Sequence, residues 1–460
     1  MIKLNVKKIA DILKAKLIGD ETIEVENVST DTRQSTINGL FFALKGEKFD
    51  AHSYLDKAVE QGCIAVVVDH KCQINVPQII VQDTRLALGQ LAAWLKAEIA
   101  PMTVAMTGSS GKTTVKEMTA SILQQVDGNA DSVLFTNGNF NNDIGVPLTL
   151  LRLTEQHKFA VIELGANHQG EIAYTTSLVR PNVALINNVA SAHLEGFGSI
   201  EGVAKAKGEI YRGLMADGIA IINLNCHYLP LWGKEINGSE VQSFSSDNTE
   251  ADFYAKNTRI TSTGSTFILH TPKGEININL PYLGEHNVSN ALAATALAMN
   301  VGASLEQVKK GLEQQSQVKG RLYPIQVSEN LLLLDDTYNA NVGSLKSAIS
   351  VLEKYQAYRI LVVGDMAELG ENTRRCHREV AEFAQAANLD FVTSYGHESA
   401  AIAAACHGAH FTDKTGLSNY LKELINEKLK DNQKVVLLAK GSRSMKMEDV
   451  INSLKDSFKC

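Results

Sequence analysis

Thr103-Val-Ala-Met-Thr-Gly-Ser-Ser-Gly-Lys-Thr-Thr114 decides the fold. A short apolar run reads as a buried strand. It passes straight into a glycine-bearing turn, then Lys-Thr, then a helical stretch to about Val126. Strand, loop and helix in that order make a phosphate cradle. Backbone N–H groups at the helix start face the anion, the lysine adds a point charge, and the threonine hydroxyl suits Mg²⁺. The general P-loop pattern has a glycine five residues before Gly111; here that position is Met106.

Outward from this loop, strand-like runs at Phe159–Glu163, Val183–Asn188 and Ile219–Asn223 alternate with helix-length segments. That alternation predicts a doubly wound parallel sheet. Between about 240 and 282 the pattern turns to short alternating runs, Ser265–His270 and Glu275–Leu280, which predict antiparallel hairpins. An alanine-rich helix follows over Asn287–Asn300.

Residues 1–98 read as a smaller α/β unit. Its strands are Leu40–Leu44, Ile64–Val68 and Ile79–Val81, with a helix over Thr84–Glu98. Val6, Ile9, Ile12 and Leu13 fit one face of an N-terminal amphipathic helix. The Ala100-Pro101 step sets the boundary, because a residue before proline is pushed out of helical geometry. The central unit spans 99–314. A third α/β unit covers 315–460, with strands Leu331–Leu334, Ile360–Val363, Phe391–Ser394 and Val435–Leu438. Its last three strands end in glycine-containing turns, at the carboxyl ends where open sheets bind ligands.

Composition sets the outer bounds. The chain has 460 residues, 44% hydrophobic and 21% charged, which excludes disorder. A net charge of −7 gives no cationic field to gather nucleic acid. No run approaches the ~18 apolar residues of a membrane span, and charge breaks the N-terminus too often for a signal peptide. The six cysteines are scattered, with no Cys-x-x-Cys pair. They read as buried small hydrophobes in a reduced cytoplasm.

Other polar clusters follow strands. Glu163 closes a strand beside the P-loop and is placed for Mg²⁺, although alone it reads equally as a helix cap or a solvated acid. His193 lies in Asn187-Asn-Val-Ala-Ser-Ala-His-Leu-Glu-Gly-Phe-Gly198, and a lone histidine is usually structural. Lys207, in Ala204-Lys-Ala-Lys-Gly-Glu209, reads by itself as part of a solvated basic face. Phe135-Thr-Asn-Gly-Asn-Phe-Asn-Asn-Asp-Ile-Gly145 offers amides either to order a loop or to recognise a polar substrate. Asp335-Asp-Thr-Tyr-Asn-Ala-Asn341 is a similar cluster in the third unit.

Taken together, these segments resemble the Mur ligase family across all three units. The N-terminal unit contributes Ser29-Thr-Asp-Thr-Arg33 and Leu40-Phe-Phe-Ala-Leu-Lys-Gly-Glu-Lys-Phe-Asp-Ala-His52. The central unit adds the variant P-loop, Thr136–Asn142, Glu163-Leu-Gly-Ala-Asn-His168, the His193 segment and Gly284-Glu-His-Asn-Val-Ser-Asn290. The third adds Gly320-Arg321, Asp335–Asn341, Gly364-Asp-Met-Ala-Glu-Leu-Gly370 and Lys440-Gly-Ser-Arg443. The missing early P-loop glycine is normal for this family, while Val342 stands where the family usually has proline.

The resemblance implies an α/β architecture of three domains: a uridine-nucleotide-binding N-terminal domain, a central P-loop ATPase domain and a C-terminal Rossmann-like domain. It implies ATP and two Mg²⁺ ions. Gly108, Ser109, Ser110, Gly111, Lys112, Thr113 and Thr114 would cradle phosphate, with Lys112 on the β- and γ-phosphates. Thr113 and Glu163 would hold one Mg²⁺. His193 would hold the second, together with Lys207 carried as a carbamate. Asn290, Arg321 and Asp336 would bind the adenine and ribose-phosphate. Ser29, Arg33, Lys45 and His52 would meet the uridine nucleotide, and Asn137, Asn139, Asn141, Tyr338 and Asn339 the remaining substrate.

Within the family the match is to the branch joining D-alanyl-D-alanine to the UDP-N-acetylmuramoyl-tripeptide, as a cytoplasmic monomer without nucleic acid or membrane insertion. Two rivals are a folylpolyglutamate-synthetase-like amide ligase, which would not need residues 1–98, and a nucleotide-gated switch, which would not need a second metal.

Overall fold

The computed structural model describes every residue except 48, 192, 237, 315–317 and 460. The boundary read at residue 315 therefore falls outside the described residues. Three large sheets follow one another along the chain, over residues 16–80, 102–280 and 323–440.

The first sheet runs Lys16–Ile18, Gln78–Ile80, Cys63–Val68, Gly39–Phe42, Asn27–Ser29 from edge to edge. It is parallel except at Lys16–Ile18. Gly39–Phe42 is buried along its whole length, which is why it reads as an unbroken apolar run. The N-terminal helix forms over Val6–Ile12, capped by Asn5, with Val6 and Ile9 fully buried. Asp83 caps the helix Thr84–Ile99 by accepting from the Arg85 and Leu86 N–H groups. That helix stops at Ala100, in left-handed geometry at φ +49°, directly before Pro101.

In the central sheet the P-loop strand Met102–Thr107 lies between Phe159–Glu163 and Val183–Ile186. Strands are parallel from Val133–Phe135 across to Phe253–Thr261. The strands Gly264–Thr271 and Gly274–Leu280 then add as antiparallel hairpins. The sequence expectation of hairpins from 240 onward is thus corrected at Glu240–Ser245, which pairs in parallel with Ile219–Asn223. Only Phe244 and Ser245 of that strand are buried, so its polarity pattern resembles a half-solvated hairpin. Direction is set by the connection rather than by polarity.

One face of this sheet packs on the helices Lys112–Asp127, His286–Met299 and Leu305–Leu312. The other face shares one continuous core with the N-terminal unit, running from Val6 through Leu88 and Ile162 to Trp232.

The third sheet is ordered Tyr323–Ser328, Leu331–Asp335, Val435–Lys440, Tyr358–Gly364, Phe391–Tyr395, Ala409–Phe411. It is parallel apart from Tyr323–Ser328. Both edge strands escape the sequence reading, because edges alternate or run short. The described cysteines are free, but only Cys63 and Cys376 are buried; Cys72, Cys226 and Cys406 are half-buried. Cys460 lies outside the described residues. Among the described residues no helix is long and apolar enough to cross a membrane.

Candidate active site

Gly111 opens the helix Lys112–Asp127 in left-handed geometry, φ +76°. A Cβ there would come within 2.5 Å of both Asn187 Nδ2 and Asn290 Oδ1, so only glycine fits. No side chain among the described residues caps this helix, and its first-turn N–H groups remain available to an anion. The loop is braced from the neighbouring strand: Asn188 Oδ1 accepts from Ser110 N–H at 2.9 Å, and Asn187 Nδ2 donates to Ser110 O at 3.0 Å. Lys112 Nζ donates to Gly108 O at 2.8 Å. Burial pushes the Lys112 ammonium pKa down, with Glu163 opposing and Arg321 assisting.

Glu163 is 2% exposed, which removes the solvated-acid alternative. Its carboxylate accepts from Thr113 Oγ1 at 2.8 Å and from Asn141 Nδ2 at 2.8 Å. Its own N–H donates to Thr136 Oγ1 at 3.0 Å. The buried Lys116 donates to Thr136 O at 2.6 Å and ties the asparagine-rich loop to the P-loop helix. Thr113 Oγ1 also accepts from Arg321 of the third unit at 2.7 Å. Two units therefore meet on one hydroxyl.

Lys207, on the helix Ile200–Gly208, is 2% exposed, so the solvated-face alternative fails. Among the described residues its ammonium has no hydrogen-bond or ion-pair partner; burial and the nearby Lys112 charge drive its pKa well below the lysine range. An orphaned cation here is costly, whereas an anionic adduct would be matched to Lys112 and to metal. His193 adopts φ +54° at the start of the short helix Leu194–Phe197, with Nδ1 2.5 Å from Glu368 Oε2 of the third unit.

These groups line one cavity of about 650 Å³ between the central and third units. From the P-loop it includes Ser109, Ser110, Gly111, Lys112, Thr113 and Thr114. Glu163, His193, Lys207, Asn139, Asn141, Asn290, Arg321, Asp336, Tyr338 and Asn339 complete the set brought together from the sequence. Gly108 is represented by its carbonyl under Lys112. Asn290 has both ends of its amide engaged, with Asn187 at 2.9 Å and Asn287 at 2.8 Å, so it braces the loop. Arg321 stacks over the Tyr338 ring at 4.4 Å.

Asn137 is exposed and does not line the cavity, nor do Ser29, Arg33, Lys45 and His52. Arg33 folds back on Asp31 in a two-point pair at 2.6 and 2.9 Å, and its hydrogen bonds hold that carboxyl down at about 2. Lys45 lies 4.0 Å from Asp50, and Ser29 Oγ donates to Asp31 O. Asn341 caps the helix Val342–Glu353 through a reciprocal bond with Ser344, so the turn forms with valine in the proline position.

Three participants had no role in the sequence reading. Lys440 pairs with Asp336 at 2.7 Å, and both are buried. Burial pushes the Asp336 carboxyl up while Lys440 pulls it down. His286 is pushed down to about 4, first by burial and then by Lys440, so it is neutral at pH 7. Glu368 reaches His193 from across the cavity. Lys440 was signalled by ending a fully buried strand, where a lysine needs a partner. Replacing Lys440 by methionine strands the Asp336 carboxylate and should cost about 3–5 kcal/mol. The double variant with Asp336→Asn should regain most of that loss in denaturant unfolding; equal losses would mean the pair is not coupled.

The Mur ligase middle domain family matches residues 106–298, and the family described as "Mur ligase, glutamate ligase domain" matches residues 320–443. A relative from Haemophilus influenzae, UDP-N-acetylmuramoyl-tripeptide–D-alanyl-D-alanine ligase, is 66% identical over 461 residues, covering 100% of both chains. The chain belongs to the Mur ligase family.

Solved structures agree with that membership. The Acinetobacter baumannii protein titled MurF superposes with a TM-score of 0.92 at 37% identity, covering 99% of each chain. The Thermotoga maritima MurF ligase in complex with ADP gives 0.82 at 25% identity, covering 94% of this Mur ligase and 98% of that chain. A Mycobacterium tuberculosis folylpolyglutamate synthase shares the fold at 14% identity and a TM-score of 0.64, covering 81% of this chain. That rival is a distant fold relative.

Proposed function

We propose that this Mur ligase joins D-alanyl-D-alanine to the UDP-N-acetylmuramoyl-tripeptide with hydrolysis of ATP to ADP and phosphate, giving the UDP-linked pentapeptide precursor of peptidoglycan. The observation that carries this reading is the full-length 66% identity to a relative of that name. The cavity supplies the matching chemistry, with Lys112, Thr113, Glu163 and Arg321 converging at a helix N-terminus.

The substrate carboxylate attacks the γ-phosphorus of ATP, releasing ADP and forming an acyl phosphate. The free amine of the dipeptide then displaces phosphate and loses a proton. No protein nucleophile is required. What the chain must provide is alignment of two anions in a cleft that excludes water. Lys112 and the first-turn N–H groups bind the phosphates, and Arg321 adds charge from the third unit. Asp336 and Tyr338, which line the same cavity, would hold the nucleotide from the third unit.

The donor set fits Mg²⁺: Thr113 with Glu163 at one site, His193 with Lys207 at another. Mg²⁺ supplies charge neutralisation between triphosphate and carboxylate. Lys207 suits an oxygen-donor role once its neutral amine adds CO₂, forming an N–C bond and releasing one proton. The same reading assigns the uridine nucleotide to the N-terminal unit around Ser29 and Lys45, and places the enzyme in the cytoplasm as a monomer.

Phosphate release should require ATP, UDP-tripeptide and D-alanyl-D-alanine together. Release at an equal rate with a folate and glutamate would favour the folylpolyglutamate alternative. Nucleotide held by both units should also draw them together. Small-angle scattering should give a smaller radius with ATP analogue and UDP-tripeptide than without; an unchanged radius with binding confirmed counts against closure.

A further inference from the structure

We propose that His52, Asp69 and His70 form a binding site for one Zn²⁺-class divalent cation on the N-terminal unit, outside the catalytic cavity. One donor atom from each residue lies within 4.8 Å of the other two. His52 Nε2 is 3.2 Å from Asp69 Oδ1, and His70 Nδ1 contacts the same carboxylate oxygen. A tetrahedral ion with bonds of ~2.0–2.1 Å sets its ligand atoms ~3.3 Å apart. The His52–Asp69 edge already has that spacing, and the exposed His70 ring must turn to open its contact with Asp69 to the same distance.

The surroundings fix the chemistry of the buried imidazole. Asp50 Oδ1 lies 2.6 Å from His52 Nδ1, and His52 Nε2 accepts from the Asp69 N–H at 3.3 Å. The Asp50 carboxylate thus favours the tautomer that carries its proton on Nδ1, which leaves Nε2 as the ligand atom on the Asp69 side. A carboxylate behind a ligating histidine is the usual support for a metal site. His52 is 7% exposed at its side chain, Asp69 31% and His70 63%, so two ligands are held and the third stands at the solvent entrance.

Two imidazoles and one carboxylate favour Zn²⁺, Ni²⁺ or Cu²⁺ over Mg²⁺, with water in the fourth position. His52 belongs to the short helix Ala51–Tyr54, whereas Asp69 and His70 directly follow the strand Cys63–Val68. A bound ion would staple the segment carrying Lys45 and Asp50 to the carboxyl end of the first sheet. Cys72 Sγ donates to His70 O at 3.4 Å and stands outside the ligand set.

The test is calorimetric titration of the full chain with Zn²⁺, in excess Mg²⁺ and ADP to occupy the catalytic cavity. Wild type should bind one more Zn²⁺ than the His70→Ala/Asp69→Asn variant, and Zn²⁺ should raise the unfolding temperature of wild type alone. Asp50→Asn should weaken binding about 10–100-fold, and Cys72→Ser should leave it unchanged. The metal-free unfolding temperature of His70→Ala should match wild type, since that ring is exposed. Equal Zn²⁺ stoichiometry and affinity in wild type and the double variant would overturn the site. Loss of the extra ion in Cys72→Ser would overturn the ligand assignment.

Discussion

Lys112→Ala should lower ligation by at least about 10²–10³-fold while leaving the fold intact. Removing one preorganised donor to a charge-developing centre typically costs that much. In the proposed reaction Lys112 would be the cation that the P-loop carries to the transferring phosphoryl group. Its only hydrogen bond among the described residues is to Gly108 O, within the same loop, so little tertiary structure depends on it. Circular dichroism and the unfolding midpoint should match wild type. Near-normal turnover in a folded variant would overturn the assignment of this loop to ATP.

Lys207→Ala should be nearly inactive, down about 10³-fold, which corresponds to losing several kcal/mol of metal-held charge stabilisation. Stability should not fall in step, because the alanine removes a buried amine with no partner among the described residues. Short carboxylates such as formate or acetate should partly restore the variant by supplying the missing oxygen donor. The pH dependence has a definite sign. A lowered lysine pKa keeps the amine neutral, and able to take up CO₂, at pH values where an ordinary lysine is protonated. Lowering the pH through that depressed pKa reprotonates the amine and should remove the carbamate and the activity together. A carbamate resonance in ¹³CO₂-equilibrated wild type, absent from Lys207→Ala, checks the modification. Full activity in the alanine variant would contradict it.

The P-loop was legible because its chemistry is local: strand, turn, lysine and helix follow one another within a dozen residues. The convergence of Arg321 on Thr113 was not legible from spacing, since 208 residues separate them. Only the family resemblance assigned Arg321 and Asp336 to a nucleotide. The burial of Lys207 was equally hidden, because Lys205 and Lys207 share one helix and the same residue type while only Lys207 faces the cavity. Lys440 and Glu368 went unassigned for a related reason. Each acts through a partner on another element, Asp336 and His193 respectively. The direction of Glu240–Ser245 was misread because a half-exposed strand shows the same polarity pattern in parallel and antiparallel pairing.

The most direct test of the account is oxygen transfer from substrate to phosphate. UDP-tripeptide labelled with ¹⁸O in its terminal carboxylate is turned over with ATP and D-alanyl-D-alanine, and the released phosphate is examined by mass spectrometry. Activation through an acyl phosphate predicts one ¹⁸O atom in each phosphate released, with the pentapeptide retaining the other. Phosphate free of label, released at the rate of peptide formation, would contradict it.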